Sequence, residues 1–474
     1  MDMYINGRWV SSPSLITIAS PYSGEAVDTV PAATAEQAEE ALQAASRAAV
    51  KMASLSGYER AQLLQRAAAL LEERVETFAV GISLEMGKPI GEARNEVKRL
   101  PDLLRLCAFE GSQVRGETLP LDAHAGVAAH SKFGLTSRIP CGVVVAITPF
   151  NYPLLLVLHK IGPALAAGNA VILKPATQTS LTALRFTALL YEAGLPENGL
   201  QCVTGSGSVL GGILCADDRV RKISFTGSSE VGRQITRIAG VKKMSLELGS
   251  NCPLVIMPGA DLDKVAKDVV VGGFANAGQV CISTQRIFVH EQCYADFLDA
   301  VRPKVASIRV GDPLDDATKL GAMISEAEAA RVDSWVSEAV DGGATIVTGG
   351  TRAGAVYAPT VVANVLPDMK LSCRELFGPA VAISRFASID EAIGLANDSP
   401  YGLGAGIYTN DIGDAFRFAQ RVHTGNIMIN STPLWRADLM PYGGFKQSGT
   451  GKEGVRYAVE EMTEIKTIVF HQLN

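Results

Sequence analysis

The sequence predicts an α/β protein built around a doubly wound parallel sheet, with a second α/β unit after it. Three observations carry this. From about residue 142, short apolar runs (VVVAI, AVILK, LQCVT and KISFT) alternate with helical segments. Uninterrupted apolar strands separated by helices belong to parallel sheets covered on both faces, the architecture of nucleotide-binding domains. A second alternating set, PLVIM, RIFVH, ATIVTG, VAISRF, GAGIYT and GNIMIN, supplies another α/β domain from about 250 to 449. Finally, 474 residues suffice for two or three domains, and 47% hydrophobic against 19% charged residues can fill their cores.

Taken in chain order, Thr34 and Gln37 form a capping box before the apolar pattern of 34–52, and a long helical pattern covers 57–80. The stretch Cys141 to Leu158 carries no charge and approaches the length of a membrane span. Within it, however, TPFNYP (148–153) sets prolines on both sides of an asparagine, and His159 and Lys160 follow at once. Prolines there break a helix, so the stretch reads as strand, turn and helix. The helix after AVILK opens at Ser180 as N-cap and stops at Gly194 as the C′ residue. HAGVAAHSKFGLTSRIP (124–140) supplies an extended pair, and TEIKTIVFHQLN (463–474) one more strand. A strand outside both domains is suited to pairing with another subunit.

Charge and composition exclude several classes. With 43 basic and 49 acidic residues, a net charge of −6 and no long basic run, nucleic-acid binding has no electrostatic support. MDMYINGRWV lacks the charged and apolar regions of a signal peptide. A soluble cytoplasmic protein without membrane partners is expected. The eight cysteines show neither CxxC nor metal-ligand spacing, so no metal site is expected and most read as small buried residues.

Several segments carry possible chemistry. In FANAGQVCIS (274–283) a glycine-rich approach leads to Cys281, which is either a presented nucleophile or another buried thiol. GSGSVLGG (205–212) has Leu210 at the last glycine position of GxGxxG, so the usual dinucleotide fingerprint fails. FTGSSEVG (225–232) lacks the Gly-Lys pair of a P-loop, yet its N–H groups and Ser228 at a helix start suit a pyrophosphate. Both clusters also read as ordinary turns. In LELGSNCP (246–253), Glu247 is either a general base of raised pKa or an acid paired with a lysine such as Lys242. Asn151 either forms a turn or donates to a developing oxyanion.

The order of TPFNYP, ILKPA (172–176), FTGSSEVG, LELGSN, GQVC and ELFGP (375–379) resembles the NAD(P)-dependent aldehyde dehydrogenase superfamily. The resemblance runs from YINGRWV, at about Ile5, to the C-terminal strand. It implies an aldehyde dehydrogenase-like fold with a cofactor-binding domain (1–118 and 142–249) and a catalytic domain (250–449). A small β oligomerisation region (119–141 and 450–474) completes a homodimer or homotetramer.

By the same resemblance Cys281 is the nucleophile, forming a thiohemiacetal with the aldehyde substrate, its thiol activated by a nearby helix terminus or base. Gly278 lets the backbone pass close to substrate and cofactor. Asn151 and the Cys281 N–H are the oxyanion donors. Glu247 is the base that activates water against the thioester, which argues against the CoA-acylating branch. Lys174 matches the adenosine-ribose contact, Gly227 and Ser228 the pyrophosphate contacts, and Glu375 with Phe377 the nicotinamide contacts. Thr148, Pro149 and Phe150, with Gly207, Phe225, Thr226 and Leu248, complete the expected cofactor cleft. Thr177 stands where NAD-preferring members often carry glutamate, so NADP is favoured and NAD is the alternative.

MPYGGFKQSGTGKEGVRYAVEEMTEIK and the His-Lys pair after PLLLVL resemble the lactaldehyde, non-phosphorylating glyceraldehyde-3-phosphate and semialdehyde dehydrogenases. Val280 stands where an arginine would favour a phosphate-bearing substrate, and with Ile282 it is expected beside the aldehyde. Arg105, His159 and Arg436 are candidates for recognising an anion or hydroxyl. Each has a plainer role: a helix-surface pair, a core histidine, and a partner of Asp438. A small hydroxyaldehyde, lactaldehyde-like, is the expected substrate, with succinic or a related anionic semialdehyde as the alternative. A cofactor-independent thiol esterase leaves FTGSSEVG unexplained, and a silent structural homologue has no use for Cys281, Glu247 and Asn151 together.

Overall fold

The computed structural model describes residues 1–123 and 132–471. Among the described residues, the apolar runs form the centres of two large sheets. In the first, the strands Leu200–Cys202, Ala170–Lys174, Val143–Ile147, Val220–Thr226 and Lys243–Glu247 lie side by side and parallel. Met3–Ile5 and Arg8–Val10 extend one edge antiparallel, and Gly449–Thr450 closes the other. The chain moves outward from Val143–Ile147 in one direction, then returns to Val220–Thr226 on its other side. That reversal is the topological switch point, where open sheets bind ligands outside the strands' carboxyl ends. TPFN and FTGS emerge there.

The second sheet places Pro253–Ile256 between Arg286–His290 and Gly404–Tyr408, with Ala380–Phe386, Thr360–Ala363 and Asn426–Ile429 further out, all parallel. Thr345–Thr348 is its antiparallel edge. Central strands are buried on both faces, which is why they read as unbroken apolar runs.

The capping box forms, with Thr34 accepting from the Gln37 N–H and Gln37 Oε1 accepting from the Thr34 N–H. The pattern expected over 57–80 is two helices, Gly57–Glu73 and Val75–Met86, because Arg74 leaves helical geometry (φ −117°, ψ 18°). Ser180 is not an N-cap. A 3₁₀ turn, Thr177–Thr179, precedes it, and the helix start is satisfied from afar by Glu85, whose carboxylate accepts the N–H groups of Leu181 and Thr182. Gly194 ends that helix at φ +94°, with the Leu195 N–H returning to the Leu190 carbonyl, a Schellman-type cap.

A three-stranded sheet joins Thr118–Leu119, Phe133–Pro140 and Thr463–Phe470. The rest of the expected extended pair, 124–131, lies outside the described residues. The tail assigned to this region is also shorter than expected. Gly449–Thr450 belongs to the first sheet, and the helix Val455–Glu461 packs its apolar face into that sheet's core, so only Thr463–Phe470 joins the small sheet. No described helix is long and apolar enough to cross a membrane.

Candidate active site

Cys281 follows a 3₁₀ turn, Ala275–Gly278, in which three consecutive residues are left-handed: Asn276 (φ 51°), Ala277 (φ 53°) and Gly278 (φ 68°). Such geometry persists only when the surroundings hold it. At Gly278 a Cβ would stand 2.1 Å from the Gly378 carbonyl oxygen. The glycine is required by this close approach to the backbone of ELFGP.

The cysteine loop and the Asn151 turn are laced together. Asn276 Nδ2 donates to the Asn151 carbonyl (2.9 Å), and Asn151 Nδ2 donates to the Gln279 carbonyl (2.9 Å). Gln279 Oε1 in turn accepts from the Ile324 N–H. Acids outside the predicted set, Glu92 half-buried and Glu96 buried, brace this arrangement. Glu92 accepts the Asn276 N–H (2.8 Å), and Glu96 accepts those of Leu154 and Leu155, capping the helix Leu155–Ala166 behind Asn151. Glu96 is neutralised by Lys88, whose ammonium also sits 3.8 Å from the Tyr152 ring centre. Burial pushes the carboxyls of Glu85 and Glu92 up to about 7. No sequence motif in EMGKPIGEARNE (85–96) singled these acids out.

The thiol sits among Cys252, Val280, Ile282, Leu403 and Tyr442. Its Sγ lies 3.2 Å from the Tyr442 hydroxyl. Burial pushes the Cys281 thiol up to about 12, outweighing the Tyr442 hydrogen bond, and the charge of Glu247 raises it further.

Glu247 ends the strand Lys243–Glu247 and is 4% exposed, with Oε2 lacking any hydrogen-bond partner. Lys242 is not its partner, because that ammonium serves the Ala216 and Ala239 carbonyls. Burial, then the charge of Glu453, raises Glu247 well above the ordinary carboxylate range, against the pull of Arg436, Lys160 and Lys452. Glu453 has the opposite fate: despite burial, Lys160 and Arg436 hold it down at about 2. Lys160 Nζ reaches Glu453 (3.4 Å) and Ser224 (3.3 Å).

The three substrate candidates separate. Arg105 is a surface residue paired with Glu72 (2.6 Å) and Asp102 (3.1 Å), so it leaves the candidate set. His159 is a buried core histidine, 3.4 Å from Asp438, and burial holds it below its ordinary value. Arg436 does not pair with Asp438, which Arg99 takes. Its guanidinium binds Glu453 (3.0 Å), lies 3.8 Å from the Tyr442 ring centre, and leaves Nε buried without a partner.

A cleft of about 350 Å³ opens from Cys281 across the switch point, lined by Pro149, Phe150, Asn151, Thr226, Ser228 and Leu248 on one side and Glu375 and Phe377 on the other. Phe150 and Phe377 meet edge to face at 5.8 Å. Gln178, Glu328 and Arg331 also line it and were not foreseen; Arg331 holds the ELFGP loop through the Leu376 carbonyl (2.7 Å). Glu375 accepts the Ser250 N–H (2.9 Å), and burial brings its carboxyl up to about 7.

Polar groups at the switch point fit a dinucleotide. Thr148 Oγ1 and Thr226 Oγ1 are buried and unpartnered at the ends of adjacent strands. A Cβ on Gly207 would stand 3.8 Å from Lys174 Nζ, so the glycine keeps the lysine approachable. Thr177 Oγ1 donates to the Gly205 carbonyl beside it. Two expected contacts change. The Gly227 N–H is spent on the Glu247 carbonyl (3.0 Å), and its glycine is required by the Phe225 ring folded against it. Ser228 Oγ accepts the Val231 N–H as N-cap of the helix Ser229–Ile238, so its hydroxyl oxygen is engaged by the helix it starts.

A cysteine thiol thus lines a cleft at the switch point, among polar groups that fit a dinucleotide. Residues 9–468 match the aldehyde dehydrogenase family. The chain is 44% identical over 469 residues to the 3-sulfolactaldehyde dehydrogenase of Priestia megaterium, covering 99% of this chain and 98% of that one. It is 38% identical over 475 residues to the lactaldehyde dehydrogenase of Methanococcus vannielii, covering 99% and 100%. The fold matches the NADP-dependent glyceraldehyde-3-phosphate dehydrogenase of Bacillus halodurans in complex with NADP at a TM-score of 0.97 and 36% identity, over 100% and 99% of the two chains. The chain belongs to the aldehyde dehydrogenase family.

Proposed function

We propose that the protein oxidises a short, lactaldehyde-like hydroxyaldehyde to the carboxylic acid, using NADP in preference to NAD. The observation that carries this reading is that Cys281 and Asn151 line one cleft, while Glu247, whose Oε2 has no partner, is near enough for its charge to act on the thiol. Lys174, Thr177 and Gly207 would hold the adenosine-ribose end of the dinucleotide, the helix start at Ser228 its pyrophosphate, and Glu375 and Phe377 its nicotinamide end. When bound, that group supplies the hydride acceptor.

Cys281 loses its proton and adds to the aldehyde carbon, giving a thiohemiacetal. Asn151 Nδ2 and the Cys281 N–H stabilise the oxygen that becomes negative. Loss of hydride leaves a thioester on Cys281. Glu247, whose raised pKa suits a base working near neutrality, takes a proton from the water that hydrolyses it. Lys160 and Glu453 stand behind Glu247 as charged neighbours that accommodate its change of state.

Val280, Ile282, Leu403 and Leu434 make the wall beside the thiol apolar, and Tyr442 adds one hydroxyl to it. That suits a small aldehyde with one polar substituent, as the name of the Methanococcus vannielii lactaldehyde dehydrogenase has it, whereas the Priestia megaterium relative is named for 3-sulfolactaldehyde, a hydroxyaldehyde that also bears a sulfonate. An anionic semialdehyde is the second reading, favoured by the unpartnered Nε of Arg436. Lactaldehyde, glycolaldehyde and succinic semialdehyde assayed with both cofactors decide between them. We expect the highest kcat/KM with lactaldehyde and NADP. A tenfold advantage for succinic semialdehyde, lost in Arg436→Ala, would establish the second reading, and a tenfold advantage for NAD would overturn the cofactor preference.

Lys174 adds a pH dependence. Burial lowers its ammonium to about 8, so it is charged below that value and neutral above it. Its attraction for a 2′-phosphate is therefore lost as pH rises. The ratio of KM for NADP to KM for NAD is expected to rise roughly tenfold between pH 7 and 9; a flat ratio would remove Lys174 from phosphate recognition. The exposed Ile465 and Phe470 on the edge strand Thr463–Phe470 further support a homodimer or homotetramer joined through the small sheet.

A further inference from the structure

We infer that Tyr442 is a catalytic residue whose hydroxyl donates a hydrogen bond to the Cys281 thiolate, with Arg436 and Glu453 holding the ring in place. The inference rests on Cys281 being the nucleophile. Tyr442 is 3% exposed, and a buried hydroxyl needs a partner. Among the described residues its one hydrogen-bond partner is Cys281 Sγ, at 3.2 Å.

The ring is fixed from two directions. The Tyr442 N–H donates to the Glu453 carbonyl (3.0 Å) and the Glu453 N–H donates back (2.7 Å), pinning the backbone. The Arg436 guanidinium stacks 3.8 Å from the ring centre while its Nη2 binds Glu453 Oε2 (3.0 Å). Tyr442, Arg436 and Glu453 thus close a triangle whose free vertex is the phenol, aimed at the sulfur. Phenylalanine would fill the same apolar wall, so packing alone gives no use for the hydroxyl.

In the thiol form either group can donate to the other. In the thiolate form only the phenol carries a proton to donate, so the bond favours the thiolate. The phenol keeps its proton throughout; the thiol's proton leaves to water. Stabilising the thiolate also makes it less nucleophilic, and the balance is calculable. Lowering a thiol pKa by one unit raises the thiolate fraction tenfold below the pKa, while intrinsic reactivity falls only about threefold. The net gain is about threefold at neutral pH, and it reverses once both thiols are fully ionised.

The test is the rate of Cys281 alkylation by iodoacetamide between about pH 7 and 9, without substrate or cofactor, in the wild type and in Tyr442→Phe, with the modified cysteine identified by peptide mapping. Tyr442→Phe should react about threefold more slowly throughout this range, where the thiol is almost wholly protonated in both proteins. Loosened packing would admit the reagent more readily and speed alkylation, so a rate equal to or above that of the wild type would overturn the inference. If Tyr442→Phe folds poorly, Arg436→Lys, which removes the planar stack and keeps the charge, should give a smaller slowing; an unchanged or faster rate there overturns it. Failure of the underlying assignment is separately visible, because Cys281→Ser would then retain dehydrogenase activity.

Discussion

Glu247→Gln is expected to release one equivalent of reduced nicotinamide per active site in a burst, then to turn over about 10²- to 10⁴-fold more slowly than the wild type. The burst should survive because Glu247 has no part in forming the thioester. The slow phase follows because glutamine has the shape of the acid but cannot take a proton from water. The site suits this role: the carboxylate is buried, Oε2 has no partner, and its pKa is raised by burial and by Glu453. Only the ionised form is a base, so wild-type deacylation should rise with pH through that raised value, and this limb should vanish in the variant. Rapid-quench kinetics, with the thioester on Cys281 detected by mass spectrometry, checks both. Steady turnover with neither burst nor trapped thioester would place the base elsewhere.

Asn151→Ala is expected to lower kcat by about 10²- to 10³-fold, the loss of one oxyanion donor, about 2.7–4 kcal/mol of transition-state stabilisation. KM should change little, because the charge on oxygen exists only after attack. The variant also loses the bond from Nδ2 to the buried Gln279 carbonyl, so stability should fall by about 1–3 kcal/mol. The two effects separate by chemistry. Alkylation by iodoacetamide develops no carbonyl oxyanion, so its rate at Cys281 should stay near the wild-type value if the loop holds. Equal losses in alkylation and dehydrogenation would mean that Asn151 positions the loop and does nothing more.

Much of the scaffold was legible because local rules govern it. VVVAI, AVILK, RIFVH and the other buried runs are strands where their apolar continuity puts them. Gly194 ends its helix because only a residue free of a Cβ takes φ +94° without strain. The misses share a cause: the partner lies far along the chain. Ser180 looked like a cap, but the capping oxygens come from Glu85. Glu92 and Glu96 carried no signal of their own, yet they brace the loops of Cys281 and Asn151. Arg105 and Arg436 were indistinguishable as charges, and only packing sends one to the surface and the other beside the thiol. Tyr442 carried no signal within MPYGG; its meaning comes from a sulfur 161 residues away.

Glu453 joins two halves of the site. One carboxylate oxygen reaches Lys160, which faces Glu247, and the other holds Arg436, which stacks on Tyr442 beside Cys281. In the proposed mechanism, the group that tunes the water-activating base and the group that steadies the nucleophile are therefore anchored on a single residue. Sequence change at that position cannot adjust acylation without also disturbing deacylation. The relative pace of the two half-reactions must instead be set by residues outside this hub, which makes 453 a poor site for gradual adaptation to a new aldehyde and the apolar wall at Val280, Ile282 and Leu434 a better one.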